Sequence, residues 1–226
     1  YLKAETLNRQ TNLSNRGVNL HNLGMYYLNV TGEYEKAREY FEAAIKIYPG
    51  YWRAYHDAAI CDMRLGDLAK AGNRLVAALV MWPENAYLRE SLALVLLKVG
   101  KYDDSIKMAQ NVLTRDANLD KSITIIAEAY RRKGNDHLAT IYWERFLEKN
   151  MNDLEGNFAL LELYVRQDKK EKLAGIVTRL VCLKRSNSWD NFILSFLKDA
   201  NISAYTPSPE KITPFVRDYL RNKPDP

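Results

Sequence analysis

Four glycines, Gly32, Gly66, Gly100 and Gly134, stand 34 residues apart. The next step on the same frame holds Asp168, which also tolerates a left-handed backbone, though less well than glycine. Other columns keep this register. Ala37, Ala71, Ser105 and Ala139 form one, and Phe41, Leu75, Ala109, Trp143 and Val177 another. A third runs through Ala44, Ala78, Val112, Phe146 and Leu180, and Pro49 and Pro83 close the first two units. A fixed period of this length is the mark of stacked supersecondary units.

The residues within one unit predict a helical hairpin. Tyr55, Ala58, Ala59, Asp62 and Met63 are spaced as along a helix. Gly66 follows, where a helix C-terminus favours positive φ. Asp67 then supplies an N-capping oxygen for a second helix, whose inner face is Ala71, Leu75, Ala78 and Leu79. The small side chains let paired helices approach and the large ones fill the gaps between them. Pro83 stops the second helix. Such a hairpin cannot bury both its faces alone, so it must stack on its neighbours.

The combination of columns resembles the tetratricopeptide repeat family. The first unit carries Leu23-Gly24, Tyr27, Gly32-Glu33-Tyr34, Ala37, Phe41, Ala44 and Pro49, with one extra residue between Gly24 and Gly32. The second carries Tyr55, Gly66-Asp67, Ala71, Ala78 and Pro83. The third keeps Leu92-Ala93, Gly100 and Tyr102 but has Ala117 in place of the closing proline. The fourth keeps Ala127, Tyr130, Gly134, Ala139 and Trp143. The fifth keeps Leu160 and Tyr164, with Asp168 and Leu173 in the glycine and alanine columns. The resemblance implies an all-α fold, an α-solenoid of about five helical hairpins in a right-handed superhelix. It further implies that the first helix of each hairpin lines an inner groove.

The array is expected over residues 18–185. Residues 1–17, polar and rich in asparagine, read as a lead-in or linker. Residues 186–200 read as a capping helix with Trp189, Phe192, Ile193, Phe196 and Leu197 on one face. Residues 201–226 form a proline-containing tail with a short amphipathic helix, its stripe being Ile212, Phe215, Val216, Tyr219 and Leu220. That stripe offers a route to self-association. The chain opens at Tyr1 with no charged-then-apolar leader and reads as a fragment or a processed product. Its longest apolar run, around Leu92 to Leu97, is too short to span a membrane.

Nothing in the chain predicts catalysis, a metal or a cofactor. Cys61 and Cys182 give no metal spacing. His21 and His56 occupy equivalent places in units one and two. Equivalent atoms of adjacent repeats lie roughly 10 Å apart, too far to share a ligand without long side chains. No phosphate loop or nucleophile elbow is present.

On the 34-residue frame the partner-binding candidates are Arg53, His56, Arg64, Tyr87, Leu94, Lys98, Lys121, Arg131, Arg132 and Arg166. Arg64, Lys98, Arg132 and Arg166 form a basic column. Its functional reading is a track for an acidic peptide, and its structural reading is a cation against each helix C-terminus. Some family members grip an acidic C-terminal peptide with a Lys/Asn/Asn/Lys/Arg clamp. Here His21 and Met25, Asp57, and Tyr87 and Ser91 stand at the clamp positions, so the resemblance does not extend to that ligand.

The expected function is an interaction scaffold or adaptor, not an enzyme, that holds a protein or peptide segment of acidic character in the groove. The alternative is the non-catalytic repeat portion of a larger enzyme, such as the soluble tail of a membrane glycosyltransferase. A formal net charge of +5 and the acidic residues Glu90, Glu128, Glu155 and Glu162 on the same face disfavour nucleic acid.

Overall fold

A computed structural model describes residues 2–116 and 119–183; the expected capping helix and tail lie outside the described residues. Every regular element is helical, with no strand among the described residues. Helix α1 spans Leu2–Tyr26 and passes into a π-helical turn at Tyr27–Thr31. Then follow α2 (Tyr34–Ile47), α3 (Trp52–Arg64), α4 (Leu68–Met81), α5 (Ala86–Lys98), α6 (Tyr102–Arg115) and α7 (Asp120–Arg132). The last three are α8 (Asp136–Lys149), α9 (Leu154–Arg166) and α10 (Lys170–Leu183). None of the described helices is long and apolar enough to cross a membrane.

The turns fall where the glycine frame predicts. Gly32, Gly66, Gly100 and Gly134 have φ of 69°, 85°, 83° and 76°. Asp168, at 53°, is the non-glycine residue with positive φ among the described residues. Asp67 caps α4 by accepting the Lys70 N–H at 3.0 Å. Asn85, Asn135 and Asp153 do the same for α5, α8 and α9.

The polar lead-in and the first repeat helix are one continuous helix, with no break at residue 17. The extra residue of the first unit is absorbed at the π turn, where the Gly32 N–H reaches back to the Tyr27 carbonyl. The wider turn leaves the frame intact from Gly32 onward.

The described residues divide into two compact bodies, one ending at Lys133 and the other beginning at Gly134. In the first, consecutive helices pack pairwise, and the first helices of neighbouring hairpins also meet, α3 with α5 and α5 with α7. Ala37 and Phe41 of α2 bury Ala58 and Cys61 of α3. Ala71, Leu75 and Ala78 of α4 bury Leu88, Leu92 and Val95 of α5. Gly24 allows the closest approach, since a Cβ there would lie 2.5 Å from Phe41 Cε1. In the second body α9 packs against α8 and α10 around Trp143, Leu147, Leu160, Leu163 and Leu180. Tyr164 donates its hydroxyl to Glu144 at 2.7 Å there.

Candidate functional site

Helices α3, α5 and α7 of the first body lie side by side and carry most of the predicted contact residues. On α3, Arg53, His56, Ile60 and Arg64 follow one another at helical spacing along one face; Tyr87, Ser91, Leu94 and Lys98 do so on α5, and Lys121, Thr124, Glu128 and Arg132 on α7.

The basic column does not behave as one set. All four cations sit in the last turn of their helices, where they complement the helix dipole. Arg132 and Arg166 are also each engaged by the carboxylate one turn back. Arg132 Nε donates to Glu128 at 2.7 Å, and Arg166 pairs with Glu162 and, at 3.5 Å, with Asp136 in the second body. Arg131 adds two bonds to Glu128, at 2.7 and 2.8 Å. Burial would raise the Glu128 pKa, but these guanidinium contacts hold it below the usual glutamate range. Arg64 and Lys98, with Ile60 and Leu94 one turn back, are exposed and form no ion pair among the described residues. Lys121 is likewise exposed and unpaired there. Arg53 lies 4.7 Å from the Trp52 ring centroid, and Tyr87 stacks on the other side of the hairpin junction with Trp52 at 5.7 Å and 11°. Leu94 is half-buried between Tyr87 and Lys98.

Beneath this surface lies a polar chain that repeat spacing alone did not reveal. His21 Nε2 meets Asp57 Oδ2 at 2.7 Å, and His56 Nδ1 meets Asp57 Oδ1 at 2.8 Å. His56 Nε2 in turn meets Ser91 Oγ at 2.9 Å. The two histidines do share a partner after all, because Asp57, beside His56 on α3, spans the distance between the repeats. Burial would raise the Asp57 pKa; the bonds from His21 and His56 outweigh it and keep the carboxyl below the usual aspartate range. One step on, the Ser122 hydroxyl donates to Glu90 at 2.9 Å. The carboxylates of this face are therefore occupied from within.

Ser91, His56 and Asp57 follow the hydrogen-bond order of an acyl-transfer triad. Ser91 is only 1% exposed and sits mid-helix, where neighbouring backbone N–H groups are committed to the helix. No substrate carbonyl can reach its Oγ and no free amide waits to bind an oxyanion, so this trio is a structural tie. Among the described residues no group of His, Cys, Asp and Glu is arranged to hold a metal ion. Cys61 is a buried free thiol, its pKa pushed up to about 12 by burial and by Asp57 and Asp62. Cys182 falls on α10, where its side chain lies outside the described set.

Between α2, α3 and α4, Asp62 is fully buried and bound by Arg74 Nε at 2.9 Å and Arg38 at 3.3 Å. Arg74 also reaches Glu42 at 2.6 Å. This cluster fastens the hairpins together.

Two family models, each described as tetratricopeptide repeat, match residues 31–80 and 56–120. Residues 31–120 carry tetratricopeptide repeats. A curated relative from Caenorhabditis elegans, tetratricopeptide repeat protein 8, is 32% identical over 79 residues. That match takes in 35% of this chain but 16% of the relative's length. Among solved structures, the chain is similar to MamA residues 41 to the end from Desulfovibrio magneticus RS-1, with a TM-score of 0.65 and 17% identity over 76% of this chain and 97% of that one. It is similar to PilF of Pseudomonas aeruginosa with a TM-score of 0.72 and 16% identity, over 84% of this chain and 86% of that one. At these identities the likeness speaks to the fold. It is the fold of tetratricopeptide helical repeats, which supports a protein-interaction scaffold in general terms.

Proposed function

We propose that the chain is a binding module that holds a protein segment against the exposed face of α3, α5 and α7. The observation that carries this reading is the electrostatic surplus of that face. Arg53, Arg64, Lys98 and Lys121 have no carboxylate partner among the described residues. The neighbouring Asp57, Glu90 and Glu128 are already bonded to protein groups. Such a face attracts negative charge without cancelling it internally. Tyr87, about half exposed, and Leu94 supply apolar anchors within the same array.

The matching partner has acidic residues flanking an aromatic or aliphatic anchor. Tyr87 and Lys98 lie eleven residues apart on α5, about 16 Å along the helix. An extended segment covers that span in about five residues, so its anchor and its carboxylate would be separated by about that number.

The test is fluorescence anisotropy with labelled peptides in acidic, neutral and basic series at low and raised salt. Acidic peptides with an apolar anchor should bind best and weaken as salt rises. The double reversal Arg64→Glu with Lys98→Glu should cost about tenfold or more in affinity. Indifference of every peptide series to that double change would place the partner elsewhere or remove the reading.

A further inference from the structure

We propose that a pocket between α5 and α6 is a docking site for an amphipathic helix of a partner protein, which inserts two large apolar side chains between an acidic and a basic end. Two neighbouring joints of the first body differ in what fills them. Where α2 and α3 meet α4, the joint is filled by charged side chains: Arg38 and Glu42 of α2, Asp62 of α3, and Lys70 and Arg74 of α4. Thirty-four residues on, the same places hold Gly72 and Val76 on α4, Leu96 on α5, and Asp104 and Met108 on α6. Of the five charged positions only Asp104 keeps a charge, and glycine and methionine stand where two arginines filled the space.

The emptied joint is a pocket of about 560 Å³, lined by Leu96, Met108, Arg89, Asp104, Lys107 and Asn111. Leu96 and Met108 back onto the buried core of α4 and α5. Helix α7 already packs on α5 and α6, so the place of the following repeat is taken and no further hairpin closes the pocket. On the neighbouring hairpin, the exposed row of α4 is Ala69, Asn73, Val76, Ala77 and Val80, which carries no charge.

Charge and backbone chemistry select the occupant. At one end of the pocket the Arg89 guanidinium is held in place, donating to Asn111 Oδ1 at 2.6 Å and to Glu84 at 3.3 Å. Asp104, seven residues before Asn111 and about 10 Å away along α6, marks the other end. Asp104 and Lys107 are exposed, and neither forms an ion pair among the described residues. An extended segment would set its N–H and C=O groups against Leu96, Met108 and the uncharged row, where helical backbone offers no partner, and each stranded group weakens binding. A helix satisfies its own backbone. Seven residues make about two helical turns. The matching helix therefore carries an acidic residue for Arg89 and Lys107, two large apolar residues three and four positions on, and a basic residue at the seventh for Asp104. With its acid toward its N-terminus, that order suits the helix's own dipole and lays it antiparallel to α6. This inference does not depend on the peptide-binding reading, whose contact residues lie outside the pocket.

The experiment is fluorescence anisotropy on the whole chain with a labelled, alanine-based helical peptide carrying that pattern: a glutamate, leucines three and four residues on, and a lysine at the seventh. Saturable binding below about 100 µM is expected, with a loss of about tenfold or more when the leucines become alanine. Val76→Glu with Met108→Arg rebuilds in the pocket the pair that Glu42 and Arg74 make at the neighbouring joint. It should weaken binding at least about tenfold while the helical circular dichroism and its melting stay unchanged. Asp104→Lys, at an exposed position, is the second variant, and it should reverse the preference for lysine over glutamate at the peptide's basic end. Arg64→Glu with Lys98→Glu should leave this peptide's affinity unchanged; a loss there would move the peptide to the face of α3, α5 and α7 and overturn the proposal. No binding at about 300 µM overturns it, as does binding that ignores both pocket changes. A peptide with the same side chains and a central proline should bind at least about tenfold more weakly; equal affinity would make the partner an extended segment and refute the helix.

Discussion

Gly66→Ala should destabilise the first body, and the structure isolates the reason. Gly66 has φ of +85°, and a Cβ built there would meet no atom within 4 Å. Steric clash with neighbours therefore contributes nothing, and the penalty is torsional. Holding an L-residue in the left-handed region costs about 1–2 kcal/mol. Loss of freedom in the unfolded chain returns about 0.4–1 kcal/mol, leaving a net cost on the order of 1 kcal/mol. The contrasting substitution is six residues away. Gly72 lies inside α4, and its Cβ would touch Val95 Cγ1 at an ordinary 3.5 Å. Gly72→Ala should stabilise by about 0.5–1 kcal/mol, because glycine in a helix interior carries an entropic cost. Urea unfolding followed by circular dichroism at 222 nm measures both. The midpoints should move in opposite directions, with the thermal midpoints separated by several degrees. Two shifts of the same sign would refute the torsional account of the turn.

Arg74→Ala should cost toward the lower end of the roughly 3–5 kcal/mol expected when a buried ion pair loses one member, because Arg38 and, at 3.8 Å, Lys70 still face Asp62; denaturant titration reads it, and a change below about 0.5 kcal/mol would show that Asp62 needs only these two cations. Acid should unfold the chain through Asp57, Glu42, Glu128 and Glu144, whose pKa values all lie below their ordinary ones. A depressed carboxyl contributes its full stability above the unfolded value near pH 4 and loses it as pH falls through the lower folded value. Urea midpoints should accordingly be level down to about pH 5 and fall below about pH 4. Asp57→Asn should flatten part of that fall, and an identical acid limb in the variant would contradict the assignment to Asp57.

The turns were readable in the sequence because they depend on single residues. Positive φ singles out glycine, and even Asp168 follows from the frame once four glycines have set it. The core columns were readable because helical spacing sorts small and large apolar residues by face. The basic column was read as one object for the same reason, yet it divides into engaged and unengaged members. A signal for that division was present: Glu128 and Glu162 stand four residues before Arg132 and Arg166, whereas Ile60 and Leu94 hold the same place before Arg64 and Lys98. The chain from His21 through Asp57 and His56 to Ser91 was not readable. It depends on which carboxylate oxygen faces which ring nitrogen across two interfaces, and a 34-residue period carries no such information.

That chain of buried bonds bears on whether the units are interchangeable. In an ideal array any hairpin could be exchanged, duplicated or removed, since each would meet the same hydrophobic face. Here His21 on α1 needs Asp57 on α3, His56 needs Ser91 on α5, and Glu90 needs Ser122 on α7. Each joint has a different polar lock, and a hairpin moved to another place would bury a donor or an acceptor with no counterpart, at about 1–3 kcal/mol for each group. The order of the ribs α3, α5 and α7 is thereby written into their contacts: deleting α5 and α6 would set His56 against Ile125, at the repeat position of Ser91, and two surfaces that fit in shape would fail in chemistry.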